Sequence, residues 1–316
     1  MHDRKFRFGV MCSHAASAAE FRDRARMAEA LGYSTLFVPD HFIDHPLAPV
    51  PAMATASAVT DTLRIGSLVL GNDYKHPVVL AREAATLDLL SDGRLELGLG
   101  AGWMTADYDK AGLELDRPGV RIDRLEESIA VLKGLMGDGP FTFQGKHYAV
   151  TDLDGHPKPV QRPHPPFLIG GGGRRTLELA AREAQIVGLA PRILPGRGGD
   201  PASITWEGTR EKIGWVLEAA GNRFEELELN VYPSMAAVSV TDDPLAEARE
   251  LADQLEERSG VRVPAEELLE SPHIFINTVD GFVAKFRRMR DELGISSIMV
   301  GSPGELDPVV ERLAGT

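Results

Sequence analysis

Eight alternations of a short apolar run with a longer segment of helical spacing predict an α/β fold, a closed (β/α)8 TIM barrel. The runs are near-continuous in hydrophobicity, as in parallel strands buried on both faces, and do not alternate as in a half-exposed sheet. A chain of 316 residues is the size of one such barrel. The expectation is therefore a single domain over residues 1–316, with insertions at 137–165, 191–205 and 234–295.

The first run, "FRFGVMC" (Phe6–Cys12), precedes "AAEFRDRARMAEALG", where Phe21, Ala25, Ala28 and Leu31 share one helical face and Gly32 supplies the stop. "STLFV" (Ser34–Val38) follows as the second strand. The third, "LRIGSLVLG" (Leu63–Gly71), leads to Pro77, a favoured first helical residue, and to "VVLAREAATLDLLSDG", which ends at Gly93. "RLELGLGAG" (Arg94–Gly102) is the fourth, followed by a helix over 121–136. Within the first insertion, "FTFQGKHYAV" reads as a hairpin, and Pro157, Pro159, Pro163, Pro165 and Pro166 mark an extended crossing segment. "PFLIGGGG" (Pro166–Gly173) feeds a helix over 174–184, and "QIVGLA", "LELNVY" and "SSIMVG" complete the eight. The second insertion, "PRILPGRGGDPASIT", is rich in Gly and Pro, and the third holds helices over 244–259 and 281–293. Both follow strands, where barrel loops build the catalytic face, and so read as lids.

Composition narrows the function. Thirty-four basic against 47 acidic residues leave a formal charge of −13, which argues against a nucleic-acid or anionic-membrane surface and for a small-molecule substrate. One cysteine, Cys12, rules out an internal disulfide. The first residues lack the apolar run of a signal peptide, and no window is apolar for the 18 or more residues of a membrane span, so a cytoplasmic location is expected.

In a barrel the residues after the strands converge: Cys12, Ser13 and His14; Asp40 and His41; Asn72, Asp73 and Tyr74; Ala101 to Trp103; and Gly170 to Gly173. "IGGGGRR" offers backbone N–H groups to an anion at a helix N-terminus, with Arg174 and Arg175 adding charge; a tight strand-to-helix turn is the plainer reading. In "LFVPDHFIDHP", a rim histidine oriented by a nearby carboxylate is an economical proton donor or acceptor, whereas Asp44 and His45 read as solvated loop residues. Zinc is the competing reading, but neither a Cys cluster nor H-E-x-x-H fixes its geometry, so no metal is expected. "GLGAGW" is a poor dinucleotide fingerprint, and its small residues suit the approach of a flat ring, with Trp103 stacking on it or forming a pocket wall. Tyr148 and Trp206 read as packing residues.

These residues resemble the bacterial luciferase-like oxidoreductases, and within them the branch that uses the deazaflavin coenzyme F420. The landmarks are "LFVPDHF", "YKHPVVLAREAATLDLLSDGRLELGLGAGW", "RIDRLEESIAVLKGLM", "FQGKHY", "PKPVQRPHPPFLIGGGG" and "AAREAQIVGLA". The resemblance implies His41 as the catalytic group near the reactive ring carbon, with Asp40 beside it on the cofactor. It implies a bulge in the third strand, with a non-prolyl cis peptide matched to Ser67-Leu68, and cofactor contacts from Ser67, Leu68, Leu70, Asn72, Gly100, Ala101 and Gly102. The cofactor phosphate would rest on Gly170, Gly171, Gly172, Gly173 and Arg174. His14, His45, Tyr74 and Trp103 would line the substrate pocket.

In the sugar-phosphate-oxidising F420 enzymes a catalytic Glu follows the "GxGxG" turn and a Trp sits four residues after the histidine. Here those positions hold Trp103 and His45. The expected activity is therefore hydride transfer between F420 and an organic substrate, as a reductase of C=C or C=N bonds, by a homodimer. The alternatives are an FMN-dependent monooxygenase supplied by a separate flavin reductase, and a non-catalytic flavin-binding barrel.

Overall fold

The computed structural model describes residues 4–194, 198–236, 238–304 and 306–316. The chain forms a closed parallel barrel of eight strands with alternating helices. Its elements are β1 (Arg7–Met11), α1 (Ala18–Ala30), β2 (Thr35–Val38), α2 (Pro49–Ser57), β3 (Arg64–Ser67), β4 (Leu70–Gly71), α3 (Pro77–Leu90), β5 (Leu95–Gly100), α4 (Thr105–Ala111) and α5 (Pro118–Met136). A hairpin, β6 (Pro140–Gln144) and β7 (Ala149–Asp154), precedes β8 (Phe167–Gly171), α6 (Arg174–Glu183) and β9 (Ile186–Leu189). Then come β10 (Ile193–Leu194), β11 (Gly198–Gly199), α7 (Trp206–Ala220), β12 (Glu228–Val231), β13 (Ser239–Val240) and α8 (Pro244–Ser259). The chain ends with α9 (Ala265–Glu270), β14 (Ile276–Asn277), α10 (Val279–Leu293), β15 (Ile295–Val300) and α11 (Asp307–Leu313). All eight predicted strands are present; α2, α4, α7, α9 and α11 are helices that the hydrophobic spacing was not used to name. Among the described residues no helix is long and apolar enough to cross a membrane.

The chain divides into two compact units. The first comprises the residues up to Met11, Ala30–Ser34 and Gly170–Thr316. In it β15 pairs in parallel with both β1 and β12, and β12 with β9. Pairing of the last strand with the first is the seam that closes a barrel. Phe8, Val10, Val231, Ile298 and Val300 are buried there, as the near-continuous apolar runs require.

The second unit comprises Cys12–Glu29 and Thr35–Ile169. There β2 pairs with β3, and β5 pairs with β3, β4 and β8. The strands lie so close that Gly98 is obligatory: a Cβ at that position would stand 1.8 Å from the Ser67 carbonyl oxygen. The β6–β7 hairpin in the first insertion has the predicted antiparallel pairing.

Both lid candidates belong to the first unit. Residues 195–197 of the second insertion and 237 of the third lie outside the described residues. Ile204, from the second insertion, packs in one apolar cluster with Leu251, Leu255, Val263, Leu268, Ile274 and Ile276 of the third. The two insertions thus share a satellite core and behave as one packed layer. Within the third insertion Lys285 Nζ donates to the carbonyls of Leu269 (2.7 Å) and Ile274 (2.6 Å), and outside the insertions Lys212 Nζ, in α7, donates to that of Ala190 (2.5 Å).

Burial pushes both lysines down to about 7, and burial beside these two cations holds His273 well below the usual histidine range. The unfolded chain therefore binds more protons than the native one between about pH 7 and the ordinary lysine value, so stability contributed by these sites rises with pH across that window. Thermal melts from pH 7 to 9 should show a steeper upward trend for the wild type than for Lys285→Met. Parallel trends would mean that Lys285 carries no charge penalty in the fold.

Candidate active site

The loop after β2 and the short helix α4 after β5, both in the second unit, are joined by one carboxylate. Asp107, fully buried, sits in the first turn of α4. Its Oδ2 lies 2.6 Å from His41 Nδ1, while its Oδ1 accepts the backbone N–H groups of Phe42 (3.0 Å) and Ile43 (3.2 Å). This arrangement fixes the ring plane of His41 and assigns Nδ1 to Asp107, leaving Nε2 for a proton exchanged with a bound molecule. The imidazole side chain is 20% exposed.

Asp40 does something different from orienting its neighbour. Its Oδ2 accepts the N–H of Gly71 (3.0 Å), which ties the end of β2 to β4. Burial raises its carboxyl above the ordinary range, opposed by the Gly71 hydrogen bond and by the charges of Lys75 and His41. Between β3 and β4 the backbone leaves the ladder. The non-prolyl cis bond lies at Leu68-Val69, one residue beyond the expected Ser67-Leu68, because Val38 still pairs with Ser67 and the N–H of Leu68 still bonds to the Val38 carbonyl (3.1 Å). Ser67, buried, donates its hydroxyl to the Gly98 carbonyl (2.9 Å) and accepts the Gly98 N–H (3.0 Å), so it is engaged with β5. Leu68 and Val69 are half-buried and Leu70 is buried.

The glycines of "GLGAGW" are required first by the protein itself. A Cβ at Gly100 would stand 2.6 Å from Val69 Cγ2, and one at Gly102 would stand 2.0 Å from the Tyr108 hydroxyl. Arg121 caps this turn by donating to the carbonyls of Ala101 and Gly102. Beneath it, Tyr108 donates to Asp73 Oδ2 (2.9 Å), and Arg124 bridges Asp73 and Asp116. The Tyr74 ring lies between those of Phe42 (4.6 Å) and Tyr108 (5.5 Å), tilted to both. Burial, with the Asp107 carboxylate beside it, pushes the Tyr74 phenol up, so it stays protonated. Trp103, 47% exposed, meets His41 edge-on at 5.9 Å. The His45 ring lies 5.6 Å from that of His41, and burial together with His41 lowers it. Asp44 is exposed at φ 63° and His14 is exposed with Nδ1 3.4 Å from the Ser13 hydroxyl.

In the first unit, Gly170 to Gly173 lead from β8 into α6, whose N-terminus has no side-chain cap. These glycines do not adopt positive φ. Two of them instead permit close approach: a Cβ at Gly171 would stand 2.5 Å from the Thr176 side chain, and one at Gly172 would stand 2.0 Å from the Pro191 carbonyl oxygen. Gly173 faces open space. The Arg174 side chain is turned to Glu178 (2.7 Å) and Glu218 (2.8 Å). Among the described residues no three His, Cys, Asp or Glu side chains converge as a metal site.

The structure thus brings His41, His45, Trp103 and Tyr74 together, and Asp40, beside His41 at the end of β2, is tied to the neighbouring strand β4. Asp107 was not anticipated. Its signal was an acidic residue one helical turn after "GAGW", visible only once a helix is placed there.

A family model described as "Luciferase-like monooxygenase" matches residues 5–315. The F420-dependent glucose-6-phosphate dehydrogenase of Microbacterium testaceum is 27% identical over 330 residues, covering 98% of this chain and 95% of that protein. The FMNH(2)-dependent dimethylsulfone monooxygenase of Pseudomonas putida is 30% identical over 169 residues, covering 51% of this chain, and the chain spans only 46% of that protein's length. In three dimensions the chain superposes on the coenzyme F420 dependent tetrahydromethanopterin reductase of Methanopyrus kandleri with a TM-score of 0.76 at 19% identity, covering 98% of this chain and 99% of that one. The chain belongs to the luciferase-like monooxygenase family.

Proposed function

We propose that this protein is an F420-dependent oxidoreductase that transfers a hydride between the deazaflavin and an organic substrate, as a reductase of C=C or C=N bonds. The observation that carries the reading is the pairing of His41 with the buried Asp107 after β2. The F420-dependent relative aligned over 98% of this chain supports the choice of cofactor. The residues present fit a flat ring with a polar edge: Leu68 and Val69 offer apolar, half-buried surface, and in the turn after β4 Asn72 holds a buried carbonyl oxygen with no partner among the described residues. Leu70, Gly100, Ala101 and Gly102 would back the ring and Asp40 would face it. By itself, the first unit offers an anion the backbone N–H groups at the uncapped N-terminus of α6, after Gly170 to Gly173.

When bound, the deazaflavin supplies two-electron hydride chemistry. The chain's own residues then have three tasks. Trp103 and Tyr74 present aromatic surface on which an organic substrate is aligned. Asp107 holds His41 in one tautomer. His41 Nε2 gives the substrate a proton in the reductive direction and takes one in the oxidative direction. His45, with its lowered pKa, remains neutral beside His41 and can pass that proton on toward solvent.

A monooxygenase using reduced FMN is the second reading, supported by the Pseudomonas putida relative and by Trp103 in place of the catalytic Glu. Fluorescence titration with oxidised F420 and, separately, FMN decides between them. Micromolar or tighter binding of F420 with weak FMN binding is expected; the reverse order, with oxygen uptake dependent on reduced FMN, would replace the first reading by the second. His41→Ala should lower turnover by about 10²–10⁴-fold while leaving cofactor affinity nearly intact. Asp107→Asn, which retains an acceptor for the two backbone N–H groups, should lower kcat and leave cofactor affinity unchanged; wild-type kcat would remove Asp107 from proton transfer.

A further inference from the structure

A cavity of about 460 Å³ opens at the N-terminal ends of β1, β12 and β15, and the described residues that line it all belong to the first unit. Its polar lining comes from Arg4, Lys5, Arg7, Ser34, Glu228 and Ser296. Barrel enzymes build their catalytic sites at the other, C-terminal ends of the strands, so this cavity lies outside the machinery proposed above. Its size is that of a small-molecule site, since ligand pockets run from roughly 300 to 1,000 Å³ and combine apolar walls with a few placed polar groups. Phe6, Phe8 and Ala314 supply the apolar part. Gly32 (φ 83°) and Gly315 (φ 72°) also line it, and a Cβ at either position would meet nothing within 4 Å.

The charge here is reversed relative to the whole chain. Three cations and one carboxylate line the cavity of a protein whose formal charge is −13. Glu228 is already matched, because both of its oxygens accept from Arg7 Nη1, at 3.1 and 2.9 Å. Arg4 Nη2 donates to the carbonyl of Glu225 (2.8 Å), a neutral acceptor that leaves its charge unmatched among the described residues. Lys5 is exposed, and among the described residues its ammonium has neither a hydrogen bond nor an ion pair.

The two serines differ. Ser34 donates its hydroxyl to the Phe8 carbonyl (3.0 Å) and is engaged by the chain. Ser296 is 2% exposed, and its hydroxyl has no hydrogen-bond partner among the described residues. A buried hydroxyl without a partner is costly, and a partner can reach this one from the cavity it lines. Arg4 alone would be explained as a cap on the Glu225 carbonyl. An ammonium and a buried hydroxyl sharing its cavity are not explained in that way. The groups left over can all donate and two of them are positive, so the complement is an anion with several acceptor oxygens.

We propose that this cavity binds a small organic acid, its carboxylate or phosphate head held by Lys5, Arg4 and the Ser296 hydroxyl and its body resting on Phe6 and Ala314. The inference does not depend on which cofactor the protein uses. A ligand there touches three separate stretches of sequence, residues 4–8, 32–34 and 314–315, and binding to the folded chain raises its stability with the concentration of the acid.

Binding is measured on the full-length protein by two-dimensional amide NMR, with succinate, inorganic phosphate and the neutral succinamide as probes. Succinate or phosphate should shift the signals of Gly32, Ser296 and Gly315 along one saturable curve and raise Tm over the same concentrations, whereas succinamide should do neither. Whichever of the two anions binds more tightly identifies the head as carboxylate or phosphate. Lys5→Glu should weaken binding by about tenfold or more, and Ser296→Ala by about threefold to tenfold, the worth of one hydrogen bond to an ion. Lys5 is exposed, so its replacement keeps the test decisive even if Ser296→Ala fails to fold. Saturable shifts confined to Gly173 would place the anion at the N-terminus of α6 and overturn the inference. Silence of all three signals, an equal response to succinamide, or unchanged affinity in Lys5→Glu would overturn it as well.

Discussion

A single buried carboxylate organises the candidate site. A carboxylate buried in the interior needs hydrogen-bond donors, and the second unit surrounds Asp107 with the His41 ring and two consecutive backbone N–H groups. The two N–H groups fix the path of the chain after β2, so the loop carrying His41 and His45 is not free to drift. The ring nitrogen fixes the imidazole. Because Asp107 lies in the first turn of α4, the helix must begin where it does, and Gly102, which lets Tyr108 approach, becomes necessary in turn. Tyr108 reaches Asp73, and Asp73 reaches Arg124 of α5. One constraint therefore runs from the second barrel strand through α4 to the turn after β4 and on to α5.

The barrel was legible because its signal is repeated eight times, and each apolar run reports burial on both faces. Most of the helices that were missed are short or weakly patterned. α4 has seven residues, and α2, "PVPAMATAS", is apolar along its length, so neither shows an amphipathic stripe. Of the site, His41 and Trp103 could be named from strand ends alone. Asp107 could not, because its pairing with His41 spans 66 positions and depends on a helix the pattern does not reveal. Tyr148 was read as packing for the same reason: its partner, Asn72, is 76 positions away. Strand periodicity gives the direction of a side chain but says nothing of what arrives from another loop.

Glycine misled in a particular way. "IGGGG" and "GLGAGW" both invite a ligand, yet the geometry shows most of these positions answering to the chain: Gly98 to the Ser67 carbonyl, Gly100 to Val69, Gly102 to Tyr108, Gly171 to Thr176 and Gly172 to Pro191. A missing Cβ is evidence of close approach, and the approaching group is as often backbone or core as ligand. Gly173, with open space before it at the start of α6, is the position where that evidence still points outward.

The placement of the acid explains what kind of proton transfer the site can support. With Trp103 at the position after the "GxGxG" turn, an aromatic edge faces His41, and the carboxylate is displaced four residues on, behind the imidazole. There it cannot reach a substrate directly and acts only through the histidine. On the proposed reading, Asp107 occupies Nδ1 and Nε2 is the exchanging atom. On that reading, the pair itself does not impose a direction on the hydride. Direction falls to the relative stability of the oxidised and reduced substrate, and to which form of the cofactor is supplied, because a proton shuttle that works equally in both senses follows the hydride and does not lead it.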